Sequence, residues 1–553
     1  MTNDATVARL VAARATDTNV GLRFGDQAWT WSEIVHQCAV RASVLHDLRC
    51  DGPFHVGVLL ENVPEYVFML GGAALAGATV VGINATRRGE ELAADIRHTD
   101  CQFVLTDTRQ APLLAGSDLG SATDRVITVE SDAWKRQLLD HDDATVPAVL
   151  PGPDALFVLI FTSGSTGAPK AVRGSQGRFA TFGPGMGFTS EDVLYSCMPL
   201  FHGNALSANF MPALRFGATM ALRHKFSASE FFDDVRRYDA SYFNLVGRAL
   251  SYIVATPPSA DDRRHRVKFA LAPESSAADA AAFQERFGIP IVTGYGSSEG
   301  AIIIRPIPNP KPGALGLPAP GTDVVVVDAA TGAECPPADI DEHGRIRNAD
   351  VAIGEIVRRD PQLVFEGYYD NDAATAERSR NGWYWSGDLA YRDRDGIFYF
   401  AGRTDDWIRV DGENFAAAPI ERIIGRHADV AAVAVYAVAD PVTSDQVMAA
   451  IELHAGRTFD PHALREFLDA QPDLGTKWAP RFVRVVDALP LTGADKVDKK
   501  PLRAAGWGCD DVWWQPSTGL DYEPLGESAR TALAQRFREH QRDHLLPSKR
   551  FTP

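Results

Sequence analysis

The chain has little cysteine. Its six residues, Cys38, Cys50, Cys101, Cys197, Cys335 and Cys509, are scattered, with no CxxC pair and no histidine cluster beside them. That pattern argues against a disulfide framework or a zinc site and reads as reduced thiols of a cytoplasmic protein. There is no basic excess. The 55 Lys and Arg against 72 Asp and Glu leave a net charge of −17. Nucleic acid is therefore not expected as the main partner, because a phosphate backbone needs a basic face. Anionic cofactors need only local positive groups. Repeats, low-complexity tracts and a long disordered tail are absent. Residues 1–20 alternate charged and apolar side chains, with no signal-peptide core. Nor is a transmembrane segment expected. The nearest candidate, Tyr66 to Asn84, is uncharged and almost long enough to span a bilayer. It is rich in Gly and Ala and ends in Ala78-Thr-Val-Val-Gly-Ile-Asn84, so a buried helix followed by a buried strand is expected instead.

What is present is an ordinary globular composition, 45% hydrophobic and 23% charged, over 553 residues, too many for one hydrophobic core. Apolar runs at Val56–Leu60, Gly77–Ile83, Phe103–Thr106, Ala155–Thr162, Thr219–Leu222, Val267–Leu271 and Ile289–Thr293 alternate with helix-like segments such as Glu90–His98 and Ser276–Phe287. This predicts an α/β fold with mostly parallel, helix-covered sheets. Thr322–Asp328 and Gly354–Arg359 predict a β-rich, more antiparallel region. After the strand-like Gly396–Ala401 comes a polar turn, Arg403-Thr-Asp-Asp406. A smaller α/β unit follows, with strands at Ala431–Val438 and Met448–Leu453 and a helix near Pro461–Ala470. The expected domains are 1–403 and 404–553.

The strand Phe157–Phe161 runs into Thr162-Ser163-Gly164-Ser165-Thr166-Gly167-Ala168-Pro169-Lys170. Glycines let the backbone approach a ligand and aim successive N–H groups at it. Hydroxyls add donors and Lys170 adds a point charge, and charge-assisted bonds are worth about 1.5–3 kcal/mol each. The implied ligand is a polyphosphate. A Walker loop has four residues between its glycines and then Gly-Lys-Ser/Thr, which this loop does not.

This loop resembles the phosphate grip of the adenylate-forming superfamily, which comprises acyl-CoA synthetases, luciferases and peptide-synthetase adenylation domains. Further motifs resemble that superfamily in order. Met198-Pro-Leu-Phe-His202-Gly-Asn-Ala205 is similar to its gate beside the acyl pocket. Tyr295-Gly296-Ser297-Ser298-Glu299 is similar to its Tyr-Gly-x-Thr-Glu motif, with Ser298 in place of threonine. The resemblance implies that Tyr295 stacks on adenine, Ser298 contacts phosphate and Glu299 binds Mg2+. Leu271-Ala-Pro-Glu-Ser-Ser276 stands in the adenine-contacting position but departs from the usual Gly-Gly-Ala text. Asp388, in Trp385-Ser-Gly-Asp388, and Arg403 match the ribose and phosphate contacts. Asp405 matches the hinge of a mobile C-terminal lid. Arg409-Val-Asp-Gly412-Glu413-Asn414 resembles the loop that lines the pantetheine tunnel. Lys496, in Leu489-Pro-Leu-Thr-Gly-Ala-Asp-Lys496, matches the lysine that acts in adenylation. Lys499 and Lys500 are expected to be solvated surface charges.

Several segments resemble the long-chain and very-long-chain fatty-acyl-CoA synthetase branch, the fatty-acid-transport-protein-like group. They are Trp407–Phe415, Glu366-Gly-Tyr-Tyr-Asp370 and the tail Val512–Leu525. Members of that group take fatty acids and, in some cases, bulky ring-containing acids such as steroid acids. The resemblance implies ATP, Mg2+ and coenzyme A, and a two-step reaction through an acyl-adenylate. Asp495 departs from the usual glycine before the lysine. That leaves open an enzyme specialised for thioester formation from a supplied acyl-adenylate. A ligase that loads a carrier protein, a non-catalytic nucleotide or acyl binder, and a homodimer also stay open.

Overall fold

The computed structural model describes all residues except 1–3, 163–169, 184, 274, 276, 298, 308–310, 312, 342–345, 361–364, 404–406, 411–412, 443–444, 476, 493–495, 517–519 and 548–553. The chain forms two compact units. One is Met1–Ala301 with Val364–Glu377; the other is Ile302–Leu363 with Arg378–Pro553. The boundary expected at 403/404 falls within the second unit.

The first unit holds two sheets. In one, the strands run in the order Val126–Thr128, Cys101–Thr106, His55–Leu59, Thr79–Gly82, Leu156–Phe161 and Ala171–Ser175. All neighbours are parallel except the last pair. In the other the order is Ile291–Val292, Phe269–Leu271, Tyr242–Asn244, Val193–Ser196, Thr219–Leu222, Val20–Phe24 and Gln27–Thr30, parallel up to the final hairpin. Parallel strands covered on both faces read as continuous apolar runs. Accordingly, every residue of Thr79–Gly82 and Thr219–Leu222 is buried.

The uncharged stretch near residue 66 is the helix Pro64–Ala76 followed by the strand Thr79–Gly82. Pro64 opens the helix, and Gly77 closes it at φ 71° in the left-handed region. The helix is buried on every side from Tyr66 to Ala76, which is why its sequence carries no polar face. Among the described residues no helix is long and apolar enough to cross a membrane.

The second unit contains an antiparallel sheet ordered Ile303–Arg305, Ala314–Pro318, Phe398–Arg403, Trp383–Arg392, Gly354–Arg358, Val324–Val327, as the β-rich reading expects. It also contains a sheet ordered Val430–Ala439, Asp445–Leu453, Phe482–Val486, Val512–Trp514, Glu523–Pro524. Period-two alternation splits that sheet's apolar residues between two helical layers. Val435, Val447, Ala449 and Ile451 meet Ile420, Ile424, Leu464 and Leu468 on one face. Tyr436, Met448 and Ala450 meet Leu502, Leu533 and Phe537 on the other. The family-like tail is built into this sheet. Tyr522 is buried and its hydroxyl donates to the Pro480 carbonyl at 2.7 Å.

Candidate active site

In the first unit the strands Val193–Ser196, Tyr242–Asn244, Phe269–Leu271 and Ile291–Val292 are mutually parallel. The segments that follow them therefore leave from one edge of the sheet. Open α/β sheets bind ligands at that carboxyl edge. Here it carries His202, residues 244–248, Leu271 to Pro273, and Tyr295 and Glu299.

The first of these segments is locked from the other sheet. Asn62, just beyond the strand His55–Leu59, is 2% exposed. Its amide nitrogen donates to the Met198 carbonyl at 3.0 Å, and its amide oxygen accepts from the Leu200 N–H at 2.9 Å. Gly82 lies directly against Phe201: a Cβ there would stand 2.9 Å from the Phe201 oxygen. His202 stands at the N-terminal boundary of the following helix, which starts as Gly203–Ala205, widens to π geometry over Leu206–Phe210 and returns to α over Met211–Phe216. Single π turns inside helices recur at functional sites. Asn244, fully buried, donates from its side-chain amide to the Oδ1 of Asn204, which ties two of the edge segments together.

The strands Leu156–Phe161 and Ala171–Ser175 are antiparallel, with Phe161 opposite Ala171. The Thr162 N–H donates to the Lys170 carbonyl at 3.1 Å, where the strand Leu156–Phe161 and the strand Ala171–Ser175 meet. The chain thus returns as a strand, whereas a Walker loop leads into a helix. The Lys170 side chain is only 10% exposed. Its Nζ lies 3.7 Å from a Glu377 carboxylate oxygen and 5.9 Å from the centre of the Tyr368 ring.

The segment 365–370 is pinned along the strand Ala171–Ser175. Arg173 N–H donates to the Gly367 carbonyl at 3.1 Å and Tyr369 N–H to the Ala171 carbonyl at 2.8 Å. Glu366 accepts from the Ser175 N–H at 2.7 Å. This places the Tyr368 hydroxyl 2.8 Å from Glu299 Oε1, to which it donates inside the protein. Behind Glu299 the chain turns at Gly300, φ 63°, where a Cβ would stand 2.4 Å from the Arg178 guanidinium. Only glycine suits both the turn and that packing. Tyr295 is half-buried, and beside Gly296 the space is open.

In the second unit Asp388 stands opposite Arg403 on adjacent antiparallel strands. Irregularities flank it on both sides: the register shifts between Glu355 and Val357 on one neighbour and at Leu389/Ala390 on the other. Bulges of this kind re-aim a side chain. Gly387, φ 73°, donates its N–H at 2.7 Å to Glu355, and Ser386 Oγ accepts the Asp388 N–H at 3.0 Å. Burial pushes the Glu355 carboxyl up, opposed by the Gly387 hydrogen bond and nearby arginines. Arg409 and Glu413 lie on the paired strands Trp407–Val410 and Glu413–Ala416. Lys496 lies on the returning arm of a turn, with its carbonyl accepting from the Thr492 N–H at 2.7 Å and its N–H donating to Thr492 Oγ1 at 3.3 Å.

Ser163, Gly164, Ser165, Thr166, Gly167, Ser298, Asp405, Gly412 and Asp495 lie outside the described residues. Lys499 corrects an expectation. It is not a solvated charge: its side chain is 14% exposed and its Nζ lies 2.8 Å from Glu421. Asn62, Glu377 and the role of Tyr368 were not read from the sequence, although Glu366-Gly-Tyr-Tyr-Asp370 stood out as a motif.

The profile of the AMP-binding enzyme family matches residues 8–369, and that of the AMP-binding enzyme C-terminal domain matches residues 419–496. The chain belongs to the AMP-binding enzyme family. This AMP-binding enzyme is 50% identical to the steroid-22-oyl-CoA synthetase of Rhodococcus jostii over 98% of its own length and 99% of the relative's. It is 42% identical to a medium/long-chain-fatty-acid–CoA ligase of Mycobacterium marinum, covering 93% and 99%. Its fold matches the anthranilate CoA ligase AuaEII in complex with anthranoyl-AMP, with a TM-score of 0.79, 20% identity and coverage of 91% and 98%. ATP-bound MatB from Rhodopseudomonas palustris gives a TM-score of 0.79 at 22% identity, covering 90% and 98%. This AMP-binding enzyme is an acid–thiol ligase of the acyl-CoA synthetase type, with ATP and coenzyme A as its small-molecule substrates.

Proposed function

We propose that this ligase activates a bulky, ring-containing carboxylic acid of the steroid side-chain class. The single observation behind the reading is the 50% identity, over 98% of the chain, to a steroid-22-oyl-CoA synthetase. In the first step the acid's carboxylate attacks the α-phosphorus of ATP and pyrophosphate leaves. Lys170 and the loop from Thr162 to Gly167 hold the departing phosphates. Tyr295 and Gly296 receive the adenine, Ser298 a phosphate, Asp388 the ribose hydroxyls and Arg403 the phosphate side. Lys496 offsets charge on the attacking oxygen. Such catalysis is positioning and electrostatics.

Glu299 suits Mg2+. Among the described residues no cluster of three protein ligands is available, and Mg2+ commonly takes one or two carboxylates and completes its shell with water and substrate phosphate. When bound, the ion neutralises phosphate charge. In the second step the residues from 404 onward turn about Asp405. Arg409, Gly412 and Glu413 line the path of the pantetheine arm, and His202 gates the acyl pocket. The thiol attacks the acyl carbon and AMP leaves. All six cysteines are unpaired, in keeping with a cytoplasmic protein.

The test offers steroid C22 acids, straight-chain fatty acids of graded length and small aromatic acids, and scores AMP and thioester formation. The highest kcat/KM is expected with the ring-containing acid. A preference for straight chains assigns the protein to fatty-acid activation instead.

A further inference from the structure

We propose that Tyr368 is a positioning residue that holds Glu299 for the metal and keeps it apart from Lys170. The inference rests on the reading of Glu299 as the Mg2+ ligand. Lys170 and Glu299 are each 9% exposed. Two opposite charges with so little water around them attract strongly, and a direct pair would consume both the cation and the anion that a phosphate site needs. Tyr368 meets both. Its hydroxyl donates to Glu299 Oε1 at 2.8 Å, and its ring lies 5.9 Å from Lys170 Nζ, within the reach of a cation–π contact.

The phenol is held independently of either charge. Its backbone bridges to Val172, and its N–H donates to Thr375 Oγ1 at 2.9 Å. The ring packs edge-on against Phe365 at 5.3 Å and joins Val172 and Ala374 in a small apolar cluster. A donor fixed in this way occupies one oxygen of the carboxylate, leaving Oε2 for a cation. Lys170 is meanwhile paired with Glu377, which is 67% exposed, so an incoming phosphate displaces a solvated partner, not a buried one.

Tyr368→Phe removes only the hydroxyl. The expected result is about a ten-fold rise in the Mg2+ needed for half-maximal acid-dependent pyrophosphate release, the scale of one hydrogen bond to a charged group. Calorimetry with a non-hydrolysable ATP analogue should show weaker binding in Mg2+ and unchanged binding in EDTA. Thioester formation from pre-made acyl-adenylate and the thermal midpoint should stay as in the unsubstituted protein. An unchanged Mg2+ requirement, or equal loss in both half-reactions with a lowered midpoint, overturns the proposal. Glu299→Gln separates the two ideas. If it leaves the Mg2+ dependence intact, the metal reading itself fails; if it abolishes the dependence while Tyr368→Phe does nothing, only the role of Tyr368 fails. A crystal structure of the unsubstituted protein with Mg2+ and the analogue decides independently of any variant. The phenol must stay on Oε1, and a Glu299 carboxylate turned away from it sinks the idea.

Discussion

The Lys170 ammonium lies 3.7 Å from the Glu377 carboxylate, and the two side chains differ in setting: 10% exposed against 67%. A nearly buried cation thus rests on a carboxylate that water already screens, and such pairs hold weakly. If Lys170 holds the phosphates of ATP, as proposed, Glu377 competes with them for it. Glu377→Gln should lower the KM for ATP about two- to five-fold with kcat unchanged, the range of a half-exposed ion pair. Steady-state kinetics at saturating acid and CoA check this, and a raised KM would place Glu377 among the groups that hold ATP.

Lys496→Ala should cost adenylation about a hundred-fold or more, the usual scale for losing one preorganised electrostatic group. Thioester formation from supplied acyl-adenylate should change little. The two half-reactions are measured separately, by pyrophosphate release and by consumption of the adenylate. Equal losses would mean that Lys496 serves both steps in one arrangement. Intact adenylation would remove it from the mechanism.

Asp388→Asn keeps the shape of the side chain and the backbone bonds through Ser386 and Gly387, but halves its capacity to accept two hydroxyls. AMP affinity by calorimetry should fall about ten-fold or more, with the thermal midpoint within a few degrees. An analogue lacking the ribose hydroxyls should bind both proteins alike. If it still discriminates between them, the ribose contact lies elsewhere.

Asn62→Ala strips the Met198 carbonyl and the Leu200 N–H of their shared partner. Leaving a buried polar group unpaired costs about 1–3 kcal/mol, and two groups are affected. Chemical denaturation should show the loss. The KM for the acid should rise while that for ATP stays, because the freed loop leads to His202. If only the ATP parameters move, this loop does not border the acyl pocket.

Asp95 is fully buried on the helix Gly89–His98, and burial pushes its carboxyl up to about 7, moderated by Arg87 at 3.0 Å. The folded state therefore holds a proton that the unfolded chain releases near pH 3.8. Its contribution to stability is whole below that pH, falls as pH rises to about 7, and is flat beyond. Asp95→Asn has no such titration. Between pH 5 and pH 8 its unfolding free energy from chemical denaturation should gain on that of the unsubstituted protein by an amount on the order of 2–3 kcal/mol. Parallel pH profiles would show that Asp95 stays ionised when folded.

Much of this was legible along the chain, because the signals are local. The run Thr219–Leu222 is a strand with those bounds, since a parallel strand covered on both faces must be apolar throughout. The uncharged stretch near Tyr66 resolved into helix and strand for the same reason. The segment Thr162–Lys170 stands out through its glycines, hydroxyls and Lys170, residue types that polyphosphate binding needs side by side. The sequence by itself thus determined the α/β class and the membership of the AMP-binding enzyme family. Only the tertiary structure decided that Ala171–Ser175 returns as an antiparallel strand, since that segment has no clear pattern and gains its partner from Leu156–Phe161. It alone brought Tyr368 onto Glu299, 69 residues away, and set Asn62 on a loop 136 and 138 residues distant. A side chain's identity states which bonds it can make. Which groups it meets across such separations is settled by packing, and no window of sequence contains that.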